Sequence, residues 1–97
     1  MEMTTEENVR AHVFIAGRVQ GVAFRWETQR VAEKHQVRGW VRNLPDSRVE
    51  AVFEGPRPQV NAVLDWCREG PAIARVDEID IQWEDFKGEF EDFAITG

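Results

Sequence analysis

The sequence predicts an α+β domain in which two helices lie on one face of a mainly antiparallel sheet, four strands plus a short edge strand. Three observations carry this. Apolar residues recur at period two in some segments and at helical spacing in two others. These segments follow one another as strand, helix, strand, strand, helix, strand. The 97 residues make one domain, residues 1–97, too short for two independent cores or a third layer.

Taken in order, residues 1–8 are polar and acidic and form a candidate flexible start, without the basic-then-apolar pattern of a secretory signal. Val9, Ala11, Val13 and Ile15 then fall on one side at period two, a half-buried first strand. A glycine-containing loop interrupts it. From about Phe24 to Gln36 there is neither Gly nor Pro. Phe24, Thr28, Val31, Ala32 and His35 share one helical face, while Glu27, Arg30, Glu33 and Lys34 face water. Residues 37–42 alternate again as a second strand, and Asn43-Leu44-Pro45-Asp46-Ser47 is a dense turn signal. Residues 48–54 complete a hairpin. Gly55-Pro56-Arg57-Pro58 breaks the pattern. Val60, Val63, Leu64 and Cys67 then recur at i, i+3, i+4 and i+7, a second amphipathic helix stopped by Gly70-Pro71. Ile79, Ile81 and Trp83 alternate with polar residues as a fourth strand. Lys87-Gly88 is a turn, and Phe93 and Ile95 mark a short fifth strand at an edge. The plan is the split βαβ, ferredoxin-like one, with both helices on the same face.

Bulk composition excludes several function classes. The chain is 42% hydrophobic and 31% charged, and it has no apolar run long enough to span a bilayer. A formal net charge of −6 speaks against nucleic-acid and anionic-membrane partners, which need a basic face. The single cysteine, Cys67, rules out an internal disulfide framework, so a cytoplasmic location is expected.

The strand-to-helix junction Gly17-Arg18-Val19-Gln20-Gly21-Val22-Ala23-Phe24-Arg25 is the informative place. Two glycines let the chain curl tightly before a helix start. The unpaired amides there, with the helix dipole, make a natural anion cradle. A cation in the first helical turn normally costs up to ~1 kcal/mol. A bound dianion would reverse the sign of that cost for Arg25, and an arginine can grip a phosphoryl group with two parallel donors. Arg18 adds positive charge at the other end. The spacing is neither a Walker A loop nor GxGxxG. On glycine spacing alone, a simple Gly-rich turn with Arg25 on a solvated face is an equally good reading.

The whole stretch resembles the phosphate-binding signature of the acylphosphatase family. Gly39-Trp40-Val41-Arg42-Asn43, with Val49 and Gly55 further on, resembles that family's second signature. The resemblance covers the domain in element order and length. It implies hydrolysis of the carboxyl–phosphate bond of small acyl phosphates, with inorganic phosphate as product and inhibitor. It further implies that Arg25 binds the substrate, that Asn43 orients the attacking water, and that the Gly17–Ala23 backbone forms the cradle. Neither cofactor nor metal is implied, and a monomer is expected. Ser47 departs from the second signature, which usually has Gly there. If that turn needs a left-handed residue, Ser costs roughly 1 kcal/mol. Ala23 stands at a variable position, where a small residue leaves the cradle intact.

Other reactive residues have plainer readings. Cys67 lies on the apolar stripe of the second helix, as a small core residue. His35 packs or caps at the end of the first helix, and His12 lies opposite Val13 as a structural or exposed residue. Two isolated histidines and one cysteine have no metal-ligand spacing. The acidic groups Asp77-Glu78, Glu84-Asp85 and Glu89-Glu91-Asp92 read as a solvated face. By position alone Asn43 is a turn residue, and Trp26 either lines the acyl end of a site or packs on the surface. The competing function class is a non-catalytic ferredoxin-like module that binds a small phosphate-containing ligand. RNA-binding domains share the architecture but want a basic, aromatic sheet. A carbamoyl-phosphate-processing module acting for another protein is disfavoured by the short chain.

Overall fold

Alternation of β-branched and polar residues builds the sheet. In the computed structural model, which describes residues 7–97, the strands are β1 (Asn8–Arg18), β2 (Arg38–Asn43), β3 (Val49–Pro56), β4 (Arg75–Glu84) and β5 (Phe93–Ile95). Helix α1 (Phe24–Lys34) follows β1, and α2 (Arg57–Cys67) follows β3. The flexible start expected for residues 1–8 lies mostly outside the described residues. The spatial order is β4-β1-β3-β2-β5, antiparallel except for the β2–β5 pair. This is the ferredoxin-like α+β fold.

Cross-strand register gives the two faces opposite characters. Val9, Ala11, Val13 and Ile15 stand opposite Gly55, Phe53, Ala51 and Val49, and this side meets the helices. Val60, Val63, Leu64 and Cys67 of α2 and Phe24, Thr28 and Ala32 of α1 are all buried against it. Each buried Val, Leu or Phe side chain among them contributes roughly 1.5–3 kcal/mol. Thr28 is accommodated because its hydroxyl donates to the Phe24 carbonyl at 2.7 Å.

Several boundaries differ from the sequence expectation, each for a local reason. Strand β1 continues to Arg18 across a bulge between Ala16 and Gly17, so the loop itself is only Val19–Ala23. Helix α1 stops at Lys34, two residues early. Gln36 adopts φ 58°, with Gln36 N–H donating to Glu33 and Val37 N–H to Ala32, a Schellman stop. Helix α2 starts at Arg57, because Pro58 falls in its first turn, where its missing N–H is not needed. Trp83 shares the core side of β4 with Ile79 and Ile81, yet it is 48% exposed at the outer edge of the sheet, beneath the Arg57 guanidinium.

The helix-free face is charged rather than simply solvated. Because β4 and β5 occupy opposite edges, the chain from Asp85 to Asp92 must cross the sheet, and it does so on this side. Glu54 accepts from the Lys87 and Gly88 amides and from Arg10. Arg10 also bonds Glu84 and Glu89 and lies over the Phe90 ring. Glu84 and Glu89, expected on a solvated face, are therefore partners of Arg10.

Candidate active site

The loop between β1 and α1 owes its shape to left-handed residues. Gly21 has φ 74° and Ala23, the residue before the helix, has φ 63°. Left-handed residues feeding a right-handed helix turn successive amides toward a common point. Among the described residues, none of the backbone N–H groups from Val19 to Ala23 donates to a backbone acceptor. Those of the first helical turn have no helical partner either. Glycine matters for a different reason at each end. A Cβ on Gly21 would meet nothing, so conformation alone explains that glycine. A Cβ on Gly17 (φ 131°) would overlap the Arg75 carbonyl of β4, so that glycine serves the bulge.

A cavity of about 160 Å³ opens at this junction, lined by Val19, Gly21, Ala23, Phe24, Arg25, Trp26, Asn43 and Ile95. At ~30 Å³ per water, it has room for a phosphoryl group and a water. It brings together Arg25, at the second position of α1, and Asn43, the last residue of β2. Arg25 makes no ion pair or side-chain hydrogen bond among the described residues. Among the described residues the buried Asn43 Oδ1 has no partner, which costs ~1–3 kcal/mol. None of the described residues hydrogen-bonds the carboxamide, so it can turn either end toward the cavity.

The remaining expected residues take other places. Gly17 and Arg18 belong to β1, paired with Val76 and Arg75 of β4, rather than to the loop. Val22 is buried in the core. The Gln20 side chain points away to the β2–β3 turn, donating to the carbonyls of Leu44 at 2.8 Å and Arg48 at 2.9 Å. Ser47 has φ 75°, so the turn does hold a left-handed residue. Ile95 marked a strand in the sequence but carried no signal of a place at the site. Only the parallel pairing of β5 with β2 delivers it to the cavity.

Elsewhere, Cys67 is fully buried, and burial pushes its thiol up to about 12, so it is no thiolate nucleophile. Among the described residues no group of three His, Cys, Asp or Glu side chains is arranged to hold a metal ion. None of the described helices is long and apolar enough to cross a membrane. A larger cavity of about 580 Å³ lies under the crossing segment. Its charged lining is Glu33, Glu54, Glu91 and Asp92 against Arg38 alone, the wrong sign for an anion.

Fold and cavity together define a class: a ferredoxin-like α+β domain with an arginine- and amide-lined cleft at its first strand–helix junction. A family model described as Acylphosphatase matches residues 11–95, and the chain belongs to the acylphosphatase family. An acylphosphatase of Pyrobaculum islandicum is 56% identical over 90 residues, covering 92% of this chain and 95% of its own. Solved acylphosphatases from Bacillus subtilis and Coxiella burnetii each superpose with a TM-score of 0.88, at 30% and 33% identity. They cover 92% and 97% of this chain and 99% and 100% of their own. The chain is accordingly an enzyme of the hydrolase class.

Proposed function

We propose that this protein hydrolyses the carboxyl–phosphate bond of small acyl phosphates by direct attack of water on phosphorus. The water oxygen bonds to phosphorus as the bond to the carboxylate oxygen breaks, giving a carboxylate and inorganic phosphate. The leaving group is already a good one, so no strong general acid is needed. Positioning and electrostatic stabilisation of the phosphoryl oxygens can supply most of the rate. In this reading the amides of the loop and first helical turn, with the Arg25 guanidinium, hold the phosphoryl oxygens. The Asn43 amide accepts from the attacking water and holds it in line, and the substrate's own oxygens take the water's proton. Trp26 and Ile95, both exposed, flank the side from which the acyl group enters. The enzyme acts as a cytoplasmic monomer, with neither nucleic acid nor membrane as partner.

The observation that carries this is the meeting of Arg25 and Asn43 on one small cavity, each without a partner for its functional atoms among the described residues. A non-catalytic phosphate-binding module is not favoured, since relatives named acylphosphatase match nearly end to end. The test is hydrolysis of benzoyl phosphate in the presence of a chelator. The wild type should turn over and be inhibited competitively by phosphate. Arg25→Gln should lose both binding and rate, and Asn43→Ala mainly rate, with circular dichroism unchanged. A fully active Arg25→Gln would sink the assignment.

A further inference from the structure

The loop and the β2–β3 turn come from separate parts of the chain, and one side chain ties them together. Gln20 uses both protons of its carboxamide, one to the Leu44 carbonyl and one to the Arg48 carbonyl. These two carbonyls stand at the two sides of the turn's mouth. The turn is already closed by Leu44 N–H donating to Arg48 at 2.8 Å and Ser47 N–H to Leu44 at 3.2 Å. Gln20 therefore caps a closed turn from outside. Asn43 immediately precedes Leu44, and among the described residues no hydrogen bond holds its own side-chain amide. Among the described residues these are the only side-chain hydrogen bonds between loop Val19–Ala23 and the segment Asn43–Arg48.

Resting on the reading of Asn43 given above, we infer that Gln20 is a positioning residue, which sets the distance between the Asn43 amide and the anion cradle. Its backbone belongs to the cradle and its side chain to the turn that carries the water-holding residue. Movement of one relative to the other is limited by two short hydrogen bonds at 2.8 and 2.9 Å. A displacement of ~1 Å in a reacting group can cost 10²-fold in rate. A donor is required, because both partners are carbonyls. Leucine, of similar size, removes it, and glutamate retains a donor only while protonated.

The experiment is a double-mutant cycle on benzoyl phosphate hydrolysis, with wild type, Gln20→Leu, Asn43→Ala and the double variant. Gln20→Leu should lower kcat about 10- to 100-fold while the inhibition constant for inorganic phosphate stays within about twofold, because the cradle amides are untouched. In the Asn43→Ala background the same change should have little further effect, since there is no amide left to position. Gln20→Glu, the second variant, should acquire a pH profile absent from the wild type, its rate recovering toward acid as the carboxyl regains a proton. The inference is overturned if Gln20→Leu keeps wild-type kcat while Asn43→Ala loses it. It is also overturned if the two losses multiply, or if phosphate inhibition weakens in step with kcat. Wild-type kcat in Asn43→Ala would refute the reading of Asn43 itself, and the role of Gln20 with it.

Discussion

Two arginines separated by fifteen positions in the chain live under opposite regimes. Arg10, on the helix-free face of the sheet, has a side chain only 10% exposed and ion pairs to Glu54, Glu84 and Glu89. Arg25, at the start of α1, has no ion pair among the described residues and faces a row of unpaired amides. One region surrounds its buried cation with carboxylates, and Glu54 and Arg10 together hold the chain from Asp85 to Asp92 across the sheet. The other keeps positive potential unsatisfied, which costs stability and leaves capacity for an anion. What sets Arg25 apart is that its free guanidinium shares a cavity with unpaired amides and Asn43.

The contrast is tested most severely by breaking the matched side. Arg10→Met should cost about 3–5 kcal/mol, because it leaves the Glu54 carboxylate, 2% exposed, with only two backbone amides. Urea unfolding reads this as a lower midpoint. Adding Glu54→Gln should recover much of the loss, and kcat under conditions where the variant is folded should stay within about twofold. An unchanged midpoint would mean that the charges on this face are not matched in the way described.

The mirror experiment is Arg25→Gln. Transition-state stabilisation should fall by roughly 10²–10³ in kcat/KM, as for loss of one preorganised donor. Stability in phosphate-free buffer should hold or rise by ~0.3–1 kcal/mol, because a first-turn cation opposed to the helix dipole has been removed. Added phosphate should raise the thermal midpoint of the wild type by mass action but not that of the variant. A large loss of stability in Arg25→Gln would place this arginine with Arg10 and erase the distinction.

His12 gives a smaller effect with a definite pH signature. Its ring bonds Glu50 at 2.6 Å and Glu84 at 3.0 Å. Burial lowers its pKa, but the two carboxylates outweigh burial and raise it above the ordinary imidazole range. Burial raises Glu50, but His12 and Arg42 outweigh this and hold it low. Glu84 is held low chiefly by its bond to His12 and by Arg10. The raised imidazole stabilises the fold fully below its unfolded pKa, ~6.5, and loses that contribution as pH rises through the folded value. The carboxylates contribute above their ordinary range and lose it as pH falls. His12→Gln should therefore be less stable than the wild type by about 1–2 kcal/mol near pH 5–6, with the gap closing in alkali. A pH-independent gap would show that His12 acts by packing alone.

The apolar side of the molecule was legible in the sequence because periodicity reports which side chains must leave water. Val9 to Ile15 and Val60 to Cys67 show it, and both helices lie where their stripes required. The charged face was not, since Arg10, Glu50 and Glu54 look like the outward half of an alternating strand. Arg10 and Glu54 are covered by where the crossing segment passes, and Glu50 by its cross-strand partners His12 and Arg42; no local pattern encodes either. At the candidate site, the loop, Arg25 and Asn43 could be named from two signatures. The roles of Gly17 in the β4 bulge, Gln20 at the turn and Ile95 from β5 arise only from tertiary pairing.

The smallest expected effect concerns strain. Among the described residues three non-glycine positions have positive φ, namely Ala23, Gln36 and Ser47, and Ala23 and Ser47 belong to the loop and the turn beside the cavity. None lies on the matched-charge face, in keeping with strain gathering where a site is built. Ser47→Gly removes a Cβ from a left-handed position in an exposed turn, relieving ~1–2 kcal/mol, while the freer unfolded chain takes back ~0.4–1 kcal/mol. The Ser47 hydroxyl bonds only the adjacent Asp46 carbonyl in solvent, so little else is lost. The net gain should be roughly 0.5 kcal/mol, a rise of ~2–4 °C in Tm for a domain of this size, with kcat unchanged. If kcat falls as Tm rises, the left-handed serine is holding the turn for Asn43, and the strain belongs to the site rather than to the loop.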